Sequence, residues 1–314
     1  MPDISWGQRD KRGEWQPEEP PVPSVLFQWP FKPIEVFKYF FAPVGFLWPF
    51  FSIYALIAVV AWAYFTPALE RTTTFQFGWI AEIYLRNVVL LTIVAGGFHL
   101  RLYTTRGQGE KFKFSDKWLA ADNKKFLFNN QTYDNVFWSL TSGCLIWTGY
   151  EAVTLWAYAN EIIPYVDWRT HPVYFVLLMI AVVYLRCFHF YWVHRWSHWK
   201  PLFKISHYLH HKNINIGPWS GLSMHPIEHI LYFSGVLLHW IIPSHPIHAI
   251  FHLMHAGITP AEGHTGFAKL VTKGEQGITS NHYFHYLHHK YFTVNFGVEA
   301  VPLDKWFGSF HDGT

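Results

Sequence analysis

The chain has 314 residues, room for one large or two modest domains, and a formal net charge of +3. Charged residues make up 14 %, against roughly 25 % in ordinary soluble domains, and aromatic residues reach 20 %. That balance argues against a nucleic-acid-tracking surface, and two isolated cysteines in apolar segments, Cys144 and Cys187, argue against a disulfide scaffold or zinc ribbon.

Residues 1–35 are polar and Pro-rich and start without an apolar core, so they read as a loosely ordered arm and not as a secretory signal. Residues 36–193 read as a transmembrane helical region. The stretch 43–65 is uncharged and long enough to cross a hydrocarbon layer of roughly 30 Å as a helix. The second, 77–98, carries Glu82 and Arg86, whose i,i+4 spacing puts them on one face where they can pair away from lipid. A basic loop follows at 100–130, with Arg101, Arg106, Lys111, Lys113, Lys117, Lys124 and Lys125. The loops 66–76 and 160–171 offer only Arg71 and Arg169, so the positive-inside rule places the basic loop in the cytoplasm. A third span is expected over 136–159, with Glu151 as its acid. The fourth starts at Pro172, is apolar to Leu185, and continues as RCFHFYWVHRWSHW beyond the membrane.

Four spans return the chain to the cytoplasmic side, where residues 194–314 form the histidine-rich part. Within it, 230–257 is a pair of short apolar limbs around PSHP. It reads as a re-entrant or interfacial hairpin covering the histidines from the membrane side. The fold class is therefore an all-α integral membrane protein, with about four transmembrane helices, this hairpin and a cytoplasmic histidine-rich helical cap.

The histidines fall into boxes: His194-Arg-Trp-Ser-His198, His207-Tyr-Leu-His210-His211 and His285-Tyr-Leu-His288-His289. Between them stand His225-Pro-Ile-Glu228-His229 and Gly263-His264-Thr265-Gly266. HxxxH on a helix aligns two imidazoles one turn apart, and HxxHH gives an i,i+3 or i,i+4 pair with a neighbour angled aside. Two such boxes on separate helices can enclose two metals. Isolated histidines (His99, His171, His189, His239, His245, His248, His311) read as hydrogen-bonded core or interface residues; His252, His255 and His282 stay open. An all-nitrogen field suits Fe, Zn, Cu or Ni, and about ten candidates exceed what one zinc uses, so a binuclear centre is expected. Three other classes compete. A bis-histidine haem protein needs few other histidines near the axial pair. A metal transporter should hold its ligands near the midplane. A metal-binding membrane protein without oxygenase activity would share the boxes.

These boxes, with Asn295-Phe296-Gly297 and Leu303-Asp304-Lys305-Trp306-Phe307-Gly308 after the last one, resemble the fatty acid hydroxylase/sterol desaturase superfamily of integral-membrane non-haem di-iron oxygenases. The resemblance runs from about 172 to 311 and lies closer to the sterol-modifying branch. It implies ten metal-binding imidazoles: His194, His198, His207, His210, His211, His225, His264, His285, His288 and His289. It also implies two Fe ions (with Zn as a substitute in a purified sample), O2 as co-substrate, and hydroxylation, desaturation or methyl oxidation at an unactivated C–H bond. A lipid or sterol-like substrate would enter from the bilayer. An external donor such as cytochrome b5 or a ferredoxin with its reductase would supply electrons. Glu228 is the candidate carboxylate in the site, expected to bond a ring N–H of a metal-binding histidine. Phe190, Tyr191, Trp192, Trp196 and Trp219 are candidates to line an apolar tunnel. Lys200, Lys204, Lys212 and Lys290 are candidates to steer the donor. The implied location is the endoplasmic reticulum in a eukaryote or the inner membrane in a bacterium.

Overall fold

The computed structural model describes residues 3–4, 7–17, 24–43, 45–274, 276–279, 282–298 and 300–313. Short antiparallel strands β1 (Asp3–Ile4), β2 (Gly7–Arg9) and β3 (Trp15–Gln16) come first. Helices α1 (Pro33–Phe41), α2 (Ser52–Phe65) and α3 (Phe77–His99) follow, then α4 (Gln131–Trp138), α5 (Cys144–Ala159) and α6 (Pro172–Ser197). The remainder is α7 (Lys200–Leu202), α8 (Tyr208–His211), α9 (Pro226–Phe233), α10 (Pro246–Gly263), the hairpin β4 (Lys269–Lys273) and β5 (Gln276–Thr279), α11 (Tyr283–Tyr291) and α12 (Leu303–Trp306).

Among the described residues, the helices long and apolar enough to cross a membrane are Leu47–Phe65, Phe77–Thr104 and Pro172–Ser197. The first two include π-helical segments, Leu47–Phe51 and Leu100–Thr104. The stretch expected as the third span is helical as well, but a π-helical segment at Ser139–Gly143 separates α4 from α5. It also carries polar groups inward, so it does not read as a lipid-facing cylinder. Arg86 on α3 donates to Glu151 on α5 at 2.5 Å, with both side chains buried, while Asn87 donates to Thr148. The expected Glu82–Arg86 pair is not made. Glu82 instead accepts from Arg71 at 2.7 Å on the exposed side. Helical spacing reveals partners within one helix only, and here each charge found its partner on another segment.

Two ends of the bundle are tied separately. At one end Asn160 donates to the Thr73 carbonyl, the Ser244 amide to the Pro164 carbonyl, and Tyr158 and Ser244 share a 2.7 Å hydroxyl contact. At the other, the Tyr103 hydroxyl lies 2.8–2.9 Å from the Thr265 and Ile216 carbonyls, and Lys212 pairs with Asp134 at 2.7 Å. The chain 226–263 runs between these ends and back. Its tip at 241–245 meets the 160–171 loop, while Tyr232, Thr259 and Pro260 nearer its base line the cleft beside the imidazoles. Apart from Thr259 and Pro260, every residue of α10 is buried, packed among α2, α3, α5 and α6. A helix bearing three histidines is too polar for lipid contact and is tolerated because protein surrounds it. Gly257 sets the closest approach: any side chain there would enter the Trp147 ring on α5.

Part of the N-terminal arm is held. Trp15 is buried beside Phe112, Phe114 and Tyr283, its amide donates to the Phe114 carbonyl, and Glu14 pairs with Lys290 on α11. Both cysteines are free and buried, as small apolar residues.

Candidate metal centre

Three helix ends and a turn carry the boxes. The last turn of α6 holds His194 and His198; α8 and the π-helical segment before it hold His207, His210 and His211. His264 caps α10, and α11 presents His285, His288 and His289. The helix α11 stops just after its box because Phe292 turns into the left-handed region (φ 67°), laying its ring 4.8 Å from that of His211. A non-glycine residue held there is strained, and such strain is often stored beside functional sites.

The imidazoles converge as two groups. His194, His198, His207, His211 and His288 form one; His210, His264, His285 and His289 form the other. Each HxxHH box feeds both. His207 and His211 join the first group and His210 the second, whereas His285 and His289 join the second and His288 the first. Residues i and i+4 share a helix face and i+3 is turned aside, so one box can face two centres.

Ring orientation follows from the other nitrogen. The Nδ1 of His194 donates to the Phe296 carbonyl at 2.6 Å, that of His288 to the Val294 carbonyl at 2.6 Å, and that of His264 to the Pro260 carbonyl at 2.9 Å. A carbonyl only accepts, so these Nδ1 atoms carry the hydrogens and the Nε2 atoms are lone pairs. The Nε2 lone pairs then point at one another: His198 lies 3.1 Å from His288, 2.9 Å from His207 and 3.2 Å from His211, and His264 lies 3.1 Å from His285 and 3.2 Å from His289. The buried His194 Nε2 has no protein partner among the described residues. Facing lone pairs repel, and a cation between them removes the repulsion. The spacing also bears on which cation. Metal–nitrogen bonds of about 2.1 Å put neighbouring nitrogens about 3.0 Å apart at right angles and about 3.4 Å apart in a tetrahedron. The observed separations match the right-angled arrangement. The residues fit metal ions of higher coordination number.

Electrostatics agree. Burial pushes His207 and His210 down to about 3 and holds His198, His211, His264, His285, His288 and His289 well below the ordinary histidine range, keeping the imidazoles neutral and able to bind metal. Glu228 on α9 is also buried, and burial pushes its carboxyl up to about 7. Its Oε1 lies 2.7 Å from His207 Nδ1, so it orients that ring; the side-chain partner expected from sequence is there, on a histidine the spacing did not single out.

His225 stands apart from both groups. Its Nδ1 accepts from the Ile227 amide at 3.3 Å, and it serves as the N-cap of α9 with Pro226 at the first helical position. The sequence held a signal for this: His245-Pro246 opens α10 in the same way, with Nδ1 accepting from the Ile247 amide. The open histidines are engaged elsewhere. His252 lies 3.3 Å from His239, His255 accepts from Arg186, and His282 lies 3.2 Å from Glu262; His229, beside Glu228, bonds Ser142 and the Leu222 carbonyl.

Two hollows adjoin the groups. A cleft of about 710 Å³ runs along α6 and α10 to His194, His207, His264 and His285, with Phe190, Val193 and Tyr232 among its apolar walls. Of the aromatics expected to line a tunnel, Phe190 does so; Trp192 and Trp196 lie on the outer surface, and Tyr191 and Trp219 are packed in the core. A second hollow of about 920 Å³ lies against His198 and His211, edged by Lys125, Lys200 and Lys204.

Residues 159–309, which span both groups, match the family model described as fatty acid hydroxylase. Over these residues the chain is similar to the fatty acid hydroxylase family. Similar proteins of this kind include the Delta(7)-sterol 5(6)-desaturase of Candida glabrata, 26 % identical over 149 residues, covering 46 % of this chain and 39 % of that protein. A Delta(7)-sterol 5(6)-desaturase of Gibberella zeae is 31 % identical over 122 residues (38 % and 37 % of the two chains). The Delta(7)-sterol-C5(6)-desaturase of Nicotiana tabacum is 26 % identical over 152 residues (47 % and 53 %). The chain thus spans 37 % to 53 % of the length of these relatives. No solved structure matches it.

Proposed function

We propose that this protein is an O2-dependent membrane oxidoreductase that hydroxylates or desaturates a C–H bond of a lipid or sterol-like substrate at a dinuclear iron centre. The observation that carries this is the pair of imidazole groups with converging Nε2 lone pairs at right-angle spacing. His194, His198, His207, His211 and His288 would hold one ion, and His210, His264, His285 and His289 the other. Two irons held there would supply the one-electron chemistry that reduces O2 and oxidises the substrate, with electrons from an external donor. The protein's own part is to fix the His194, His264 and His288 rings through Nδ1–H, to let Glu228 accept from His207, and to hold the substrate in the apolar cleft with water excluded. His225 supports the start of α9 in this reading and does not bind metal.

The substrate class is read from the cleft along α6 and from the family relatives. The donor, a cytochrome b5 or ferredoxin type, would dock over Lys125, Lys200 and Lys204, beside His198. Lys212 and Lys290 are excluded from that role by their pairs with Asp134 and Glu14. We read helix 131–159 as a fourth traversal, made polar inside by Glu151, and 226–263 as a hairpin enclosed by protein. The basic segment 100–130 then puts the centre on the cytoplasmic side, of the endoplasmic reticulum in a eukaryote or the inner membrane in a bacterium.

Metal analysis of detergent-purified protein tests the centre. About two iron ions per chain are expected, in the ratio a two-metal site requires, with loss on His288→Ala. A haem absorption band, or metal content unaffected by His288→Ala, overturns it.

A further inference from the structure

Two cations enclosed among the helices each meet a carboxylate. Arg86 has Glu151 at 2.5 Å and Lys212 has Asp134 at 2.7 Å. Arg186 departs from that. It lies on α6 two turns before His194 and lines the cleft that leads to the imidazole groups. Its Nε donates to His255 Nδ1 at 2.8 Å and an Nη to Thr259 Oγ1 at 2.7 Å, both neutral partners on α10. Among the described residues no carboxylate lies within ion-pairing distance of it; Glu228, the acid that lines the same cleft, meets His207 at 2.7 Å.

A guanidinium between apolar helices without a counter-charge is costly, and the usual remedy is a paired acid. Here the side facing α10 is fixed, and the rest of the fork turns to the cleft beside the Tyr232 hydroxyl. The two neutral hydrogen bonds hold the fork still, as a preorganised receptor for a planar or tetrahedral oxyanion requires. Position adds a second argument. Arg186 and His194 are eight residues apart, about 12 Å along one helix face. Between them the cleft is walled by Phe190, Val193 and Tyr232. The order along the cleft is therefore cation, apolar wall, imidazole groups.

We infer that Arg186 anchors the anionic head group, a carboxylate or phosphate, of a chain amphiphile whose hydrocarbon part lies along Phe190 and Val193 toward the imidazole groups. This rests on the reading of those groups as the reactive centre. It narrows the substrate class from lipids in general to anionic ones. A neutral sterol-like molecule would fill the wall but leave the Arg186 charge uncompensated.

Full-length, metal-loaded protein in nanodiscs provides the test, with equilibrium binding of dodecanoate, dodecyl phosphate and dodecanol. The two anions share the chain and differ from dodecanol in charge. At least about ten-fold tighter binding of one or both anions is expected in the wild type, the size of a charge-assisted bidentate contact. The stronger of the two identifies the head group. Arg186→Gln should erase the preference while leaving dodecanol binding and metal content in place, and Arg186→Lys should retain part of it. Equal affinity for all three ligands in the wild type, or an unchanged anion preference in Arg186→Gln, overturns the inference. Metal content is read on the same samples. Anion preference without bound metal would sink the di-iron reading and leave the anchor standing; bound metal without preference would do the reverse.

Discussion

His225 and Glu228 stand three residues apart at the start of α9, and what each touches separates their roles. His225 accepts from the Ile227 amide, a helix-capping contact, whereas Glu228 meets the Nδ1 of His207. Replacing the first should cost stability and spare the metals: His225→Ala is expected to lower stability by about 0.5–2 kcal/mol, as loss of a cap does, with metal content unchanged. Loss of an ion on that substitution would return His225 to the ligand set. Glu228→Gln should weaken metal binding by roughly ten-fold or more, through a ring no longer held by a carboxylate. Competition with a chelator measures this, and wild-type affinity would remove Glu228 from the site. At this scale most of the metal centre was legible. Box spacing is local, and a helix turns the i, i+3 and i+4 positions of HxxHH in fixed directions whatever surrounds it. The capping role of His225 was not read, because it depends on where α9 begins.

Between elements, the contact with most at stake is Arg86 with Glu151, two side chains 8 % and 1 % exposed. Removing one partner strands the other, so Glu151→Gln should destabilise the protein by about 3–5 kcal/mol, whereas the double replacement Arg86→Met/Glu151→Met should recover most of that. Denaturation of the detergent-solubilised variants checks it; a double variant as weak as the single one would mean the pair is not the issue. The sequence suggested Glu82 as the partner of Arg86, since only residues of the same helix can be compared by spacing. The position of α10 was hidden for the same reason. Its apolar stretches looked short and its histidines looked interfacial, yet α2, α3, α5 and α6 wrap it. Whether a polar helix is buried depends on neighbours whose placement no local pattern reports. The long apolar segments 47–65, 77–104 and 172–197, by contrast, needed only length and composition to be recognised.

For the whole molecule, the buried imidazoles set a pH dependence. In the metal-free protein His207 and His210 stay neutral down to about 3, while the unfolded chain takes up protons near the ordinary histidine pKa of about 6.5. The unfolded state therefore binds more protons between those values. Their contribution is complete above about pH 6.5 and is lost as the pH falls toward about 3. Glu228 acts oppositely: raised to about 7, it favours the folded state below its unfolded pKa and loses that contribution as the pH rises through 7. One carboxyl opposes several imidazoles, so the net expectation is a falling Tm for metal-free protein between about pH 7.5 and about pH 5. Thermal unfolding in chelator across that range decides it, and a Tm that rises toward acid would show that the histidines are not neutral in the fold.

Trp15 packs on Tyr283, Glu14 pairs with Lys290, and His194 on α6 shares an ion-binding group with His288 on α11. Segments far apart in the chain thus meet. On a ribosome, the first box emerges with only part of either imidazole group, because each group also needs a residue of α11. Both groups close only after His289 has left the exit tunnel, so neither is complete until α11 has been made.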